Sequence, residues 1–171
     1  MAASTDIVPG LPEPARNSQL LFRRILDAIA YAGRIETIDL PLQPPAGLGS
    51  AAAALVLTLV DADVDLWLSE SLRAPLTPWV RFHCGCPVVL ADGLDCAFAL
   101  AAAGDPLPPL ATARLADPER PDISTTLIVE CAALAGGRRL RATGPGIGPG
   151  IAPGIDGERI IAPSGLPAEL L

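Results

Sequence analysis

The sequence predicts an α/β domain, and three stretches carry that prediction. Phe22, Ile25, Leu26 and Ile29 recur at i, i+3, i+4 and i+7, the spacing of one helix face. Residues 51–60, AAAALVLTLV, are apolar all round, the pattern of a helix buried in a core. Residues 125–134, TTLIVECAAL, are apolar at odd and even positions alike, as a central strand covered on both faces must be. Both kinds of signal in 171 residues describe a layered α/β domain built around one core.

The elements follow in order. Residues 1–15 carry three prolines and no periodicity, and read as an extended N-terminal arm; residues 16–171 form the domain. Asn17 or Ser18 caps the first helix, and Gly33 takes the left-handed position beyond its end. Residues 34–40 are expected as a strand closed by PLQPPAG. Ser50 caps the all-apolar helix, Asp61 ends it, and DLWLS reads as a short buried strand. Pro75 and Pro78 mark a loop, after which TPWVRFHCGCP gives a short helix ended by Gly85 and Pro87. Residues 96–101 are a further strand, and 107–122 a proline-broken connection with one helical turn. Gly136-Gly137 suits a two-residue hairpin turn that returns 125–134 through RRLRATG and sets Glu130 diagonal to Arg141. Residues 144–157 are a Gly/Pro-rich loop, and the closing GLPAELL reads as the start of a helix.

Composition excludes several kinds of chemistry. All 12 basic residues are arginine, so there is no lysine to form a Schiff base with pyridoxal phosphate or to complete a Walker A loop. Nineteen acids against those arginines leave a net charge of −7, the opposite of the basic footprint of a nucleic-acid partner. The longest apolar run, 51–60, is about half of what a membrane span needs, and no signal peptide opens the chain. The expectation is a cytoplasmic protein whose Cys84, Cys86, Cys96 and Cys131 stay reduced.

None of the short motifs completes a catalytic set. The Gly-rich segment lacks G-x-G-x-x-G, and its prolines remove the N–H groups that an anion nest uses. His83-Cys84-Gly85-Cys86 lacks a fourth zinc ligand at a recognised spacing, and sequence neighbours seldom face each other as a Cys–His dyad must. Asp61, Asp63 and Asp65 open like a calcium loop, but Leu66 and Leu72 stand where its Gly and Glu belong. No catalytic, cofactor-binding or metal-binding residue is therefore assigned. What remains are guanidinium forks that match phosphate, phosphonate or carboxylate. Arg81 beside His83, and Arg139 with Arg141 on one face of the return strand, are the candidate anion or partner contacts; structural pairing, as of Arg141 with Glu130, is the competing role. A stand-alone Cys/His enzyme and an anion-binding module are the alternatives the residues leave open.

Four collinear stretches carry a resemblance: FRRILDAIAYAG (22–33), LVLTLVDADVDLWL (55–68), WVRFHCGCPVV (79–89) and TTLIVECAALAGGRRLRATGPGI (125–147). In this order they resemble the PhnH family, the H subunit of the bacterial carbon–phosphorus lyase system. The resemblance implies an α/β domain related to the large domain of pyridoxal-phosphate-dependent transferases, without the cofactor. It implies a homodimer that joins G, I and J subunits in a core complex. That complex supports formation of ribose 1-phosphonate 5-triphosphate from ATP and an alkylphosphonate, a structural or co-catalytic role for which no catalytic residue is transferred. It also implies chain beyond GLPAELL, so that the domain reads as truncated at its C-terminus. Ala32-Gly33 replaces the family's Pro-Gly, and its single G-P-G-I is extended to three near-copies, the last reading A-P-G-I.

Overall fold

Short apolar strands at 66–68, 88–89, 98–101 and 126–129 form one parallel sheet. The computed structural model describes residues 7–90, 92–120, 122–142, 147 and 159–170. Strands β1 (Leu66–Leu68), β2 (Val88–Val89), β3 (Phe98–Ala101) and β4 (Thr126–Val129) lie in the order β2-β1-β3-β4, every pair parallel. Helices α1 (Pro14–Ala30) and α2 (Ser50–Leu59) precede the sheet, and α3 (Glu70–His83) carries the chain from β1 to β2. An antiparallel pair, β5 (Leu140–Ala142) with β6 (Arg159–Ile161), forms a second, separate sheet. Among the described residues no helix is long and apolar enough to cross a membrane. The α/β class is as the sequence predicts.

Side chains alternate across the strands, so the parallel sheet buries two faces. Leu66, Leu68, Leu100 and Ile128 point to the helices and pack with Ala53, Val56, Leu72, Leu76, Trp79 and Val80. Trp67, Ala99 and Ala101 point the other way, where Leu94, Cys96 and Leu107 cover them. That second face is closed by chain without a long helix: the connection from β3 to β4 has only a short 3-10 turn at Leu110–Thr112. Side-chain bonds hold this connection in place. The Thr125 hydroxyl lies 2.8 Å from both Leu94 O and Cys96 O, which share its one proton, and Arg114 Nε donates to Asp95 at 2.8 Å.

The first two helices are where the sequence places them, with revised caps. Helix α1 starts at Pro14, the first-turn position that needs no amide donor. Asn17, expected as the cap, lies one turn inside the helix, and its Oδ1 accepts from Glu13 N at 2.9 Å. Gly33 takes φ 84° beyond the end, as predicted. Gly49, and not Ser50, precedes α2, and its N–H donates at 2.6 Å to the carboxylate of Glu130, at the end of β4. A negative charge there opposes the positive end of the helix dipole.

Four expectations are corrected. Residues 34–40 form no strand; Glu36 is instead half-enclosed by Arg34 at 2.8 Å and Arg24 at 3.4 Å. Helix α3 begins at Glu70 and runs through Pro75 and Pro78, because Leu72, Leu76, Trp79 and Val80 along one face bury fully enough to outweigh two missing amide donors. Strand β4 stands at the edge of the four-stranded order, so the central strands are β1 and β3. The Gly136-Gly137 hairpin does not form. Ala132 and Gly137 donate to Ser164 O and Ala162 O, and RRLRATG supplies β5, which pairs with β6. Gly137 lies so close to Pro163 O that any Cβ would collide with it. The Gly/Pro-rich loop at 144–157 lies outside the described residues except for Ile147.

A carboxylate also holds the start of α3. Asp105, just past β3, accepts from Ser71 N at 3.0 Å and from the Ser71 hydroxyl at 2.7 Å. Burial works to raise its pKa, but hydrogen bonds from Ser71 and Ser69 outweigh that and bring it below the usual carboxyl range. A lowered folded-state pKa stabilises the fold above the unfolded value of about 3.9, and this is lost as pH falls through the folded value. Asp105→Asn is therefore expected to be less stable than the parent in urea at pH 7, with the gap closing toward pH 3. An equal gap at both pH values would remove the charge from the explanation.

Candidate functional site

The four candidate contacts fall on two elements. Arg81 and His83 close α3, whereas Arg141 lies on β5 of the second sheet and Arg139 just before it. The return strand that would set Arg141 beside Glu130 is replaced by the β5–β6 pair, and Glu130 serves Gly49. Arg139 is exposed and has no ion pair among the described residues.

His83 is held by the N-terminal segment. Its Nε2 donates to Val8 O at 2.9 Å, and the same carbonyl accepts from Trp79 Nε1 at 3.1 Å. The ring meets Trp79 and Phe82 edge-on, with centroids 5.3 and 4.9 Å away, and a Cβ at Gly10 would press on it at 2.9 Å. A single carbonyl thus ties residues 8–10 to the last turn of α3, and Nε2 carries the proton it donates.

Burial disfavours the thiolate at all four cysteines, of which Cys86 and Cys96 are buried and Cys84 and Cys131 partly exposed. Burial, with added repulsion from Cys86 and Asp61, pushes Cys84 up to about 12. Cys96 is raised to about 11, mainly by burial and then by Asp65. Burial also raises Cys86, against the opposing pull of a backbone hydrogen bond and of Arg81, and raises Cys131 with help from Glu130. The thiolate is the nucleophile, so pKa values in this range leave almost none at neutral pH. Native protein with a disulfide reagent at pH 7.5 is expected to label Cys84 and Cys96 only slowly, and all four cysteines promptly in urea. Rapid native labelling of Cys84 would revive a thiol mechanism.

The D-x-D-x-D run has structural work. Asp61 Oδ1 accepts from Asp63 N at 3.0 Å in a local turn. Asp65 accepts from Ala97 N at 2.7 Å and lies 3.5 Å from Arg114, tying the start of β1 to the start of β3. Among the described residues no group of three or more His, Cys, Asp and Glu is placed to hold a metal ion.

One concave surface joins a predicted residue to an unpredicted one. Arg73, Thr77 and Arg81 recur at i, i+4 and i+8 along α3 and line an open groove of about 340 Å³, with Val88 and Leu90 opposite. Arg73 holds the exposed Glu70 at 2.8 Å and reaches Leu68 O at 3.5 Å, while its Nε is buried without a hydrogen-bond partner. Arg81 has no ion pair among the described residues. The i, i+4, i+8 spacing is the signal that would have revealed Arg73, once the helix is known to pass through its prolines.

The class defined by this arrangement is an α/β domain with a parallel sheet, a strapped histidine, thiols of raised pKa and an arginine-lined groove. Residues 9–171 match the family described as bacterial phosphonate metabolism protein (PhnH), and the chain belongs to that family. It is 38% identical over 169 residues to the alpha-D-ribose 1-methylphosphonate 5-triphosphate synthase subunit PhnH of Rhizobium meliloti (strain 1021), covering 98% of this chain and 80% of the relative.

Proposed function

We propose that this chain is a subunit of the carbon–phosphorus lyase core complex, supporting formation of ribose 1-phosphonate 5-triphosphate from ATP and an alkylphosphonate. The observation that carries this reading is the match along nearly the whole chain to a subunit of a synthase for that kind of product. The role is structural or co-catalytic: His83 is engaged with the arm and the thiols are raised, which disfavours an independent Cys/His enzyme. Its partners are a second copy of itself and the G, I and J subunits, and its place is the cytoplasm. The domain, whose first helix opens at Pro14 inside the arm expected at 1–15, is a cofactor-free counterpart of the large domain of pyridoxal-phosphate-dependent transferases, in keeping with the absence of lysine.

A face suited to assembly lies on α1. Its apolar arc is wider than the core it meets: Leu21 and Ile25 are buried, whereas Phe22, Leu26 and Ile29 are 47%, 49% and 69% exposed. Arg23 and Asp27 border this stripe on its solvent side. Opposite charges four residues apart are self-complementary when two such helices meet antiparallel, so the stripe suits a second copy of the chain. Co-expression with tagged G, I and J subunits tests the function. Co-purification of all four is expected, and a chain that stays alone beside all three partners would overturn the reading.

A further inference from the structure

We infer that the groove between α3 and β2 is a binding site for the triphosphate chain of a nucleotide or ribose triphosphate, held by Arg73 and Arg81. The inference deepens the proposed function by giving this subunit a contact with the anionic ligand of the complex.

Charge is the first argument. The chain carries 19 acids and 12 arginines, yet two arginines and no acid line this groove. A concave surface of one sign, walled by apolar groups, concentrates counter-ions of the other sign. Arg81 is uncommitted, and Arg73 is only loosely tied to the fold, by a 3.5 Å bond from its guanidinium to Leu68 O. Arg81 has no ion pair among the described residues, and Arg73 holds a carboxylate whose side chain is 83% exposed. A pair of that kind contributes little and exchanges readily for a better anion.

Shape selects among anions. Eight residues of helix separate Arg73 from Arg81 by roughly 12 Å along the axis. That span suits an extended polyanion better than a single phosphate, which one fork would satisfy. Small Ala74 and Pro78 between the arginines let a ligand approach the helix closely. Pro78 has no N–H, so the helix returns no i+4 donor to the carbonyl of Ala74. Across the groove Val88 and the 70% exposed Leu90 offer an apolar wall for a sugar or base. The other anion candidates lack these features: His83 is tied to Val8, and Arg139 lies just before β5 of the second sheet.

The test is calorimetric titration of the purified chain with ATP and with sodium tripolyphosphate at low salt. Both ligands should bind, and Arg81→Ala should weaken each at least tenfold. Glu70→Gln, which frees Arg73 and removes a like charge, should tighten binding a few-fold. Arg139→Ala should leave it unchanged. Binding of ATP without tripolyphosphate would overturn the triphosphate assignment. No heat with either ligand, or equal losses from Arg81→Ala and Arg139→Ala, would overturn the site. Circular dichroism of each variant shows whether it remains folded. Assembly with the G, I and J subunits is scored separately, so failure of the groove and failure of the subunit reading are told apart.

Discussion

Truncating Leu100 to alanine is expected to lower the free energy of unfolding by about 3 kcal/mol, within the range for a buried leucine that leaves a cavity. Leu100 lies on β3 between Leu68 of β1 and Ile128 of β4, fully buried, and its carbonyl accepts from Ser69 N at 3.0 Å. The hydrogen bond survives the substitution because it is made by the backbone; what is lost is apolar contact with both neighbouring strands and the helices above. The net stability of a domain is about 5–15 kcal/mol, so one such cavity removes a large share of it. Leu115→Ala, at a highly exposed site, is the control and should change stability by less than about 0.5 kcal/mol. Urea unfolding at neutral pH reads both. A loss below about 1 kcal/mol at Leu100 would contradict the central position of β3.

What was legible in the sequence is what local pattern decides. The run of 51–60 makes α2 because it is long, apolar and free of Gly and Pro, and LWL and FALA make β1 and β3 because each is short, apolar and bounded by turns. The errors arise where a distant partner outweighs local preference. Pro75 and Pro78 argue against a helix over 70–83, yet four buried side chains on one face hold it. Gly136-Gly137 has the chemistry of a hairpin turn, but the segment before it pairs with residues 162–164, far along the chain. Turn chemistry reports a bend and says nothing about which segment lies beside it. Glu130 has a structural role that no local pattern shows: its carboxylate accepts from Gly49 N, which precedes a helix 81 residues away in sequence.

The candidate site was half legible for the same reason. Arg81 and His83 stood out through their neighbours in sequence, but their environments diverge: His83 is packed under Val8 and Gly10, and Arg81 faces the groove. Arg73 is not legible in the sequence because Pro75 and Pro78 predict a loop there, where its position relative to Arg81 has no meaning. Only a continuous helix makes residues 73, 77 and 81 neighbours on one face.

Leu26→Glu is expected to turn a dimer into a monomer while leaving the fold intact. The four apolar residues at 22, 25, 26 and 29 share one broad arc of α1, but the core takes only the side carrying Leu21 and Ile25. At 3.6 residues per turn the remaining stripe is turned about a quarter of the way round the helix, toward solvent. Burying a leucine completely stabilises by about 1.5–3 kcal/mol, and an isologous interface gains that at both copies. A glutamate at the same place must be desolvated without a partner, which costs more than the leucine contributed. Because Leu26 is half exposed in the single chain, Leu26→Glu should still fold and unfold cooperatively in urea, losing the concentration-dependent part of the parent's stability that comes from association. Light scattering after gel filtration should then give twice the chain mass for the parent and for Leu115→Glu, and one chain mass for Leu26→Glu. A parent that runs as a monomer, or a Leu26→Glu variant that remains a dimer, would remove α1 as the face where two copies meet.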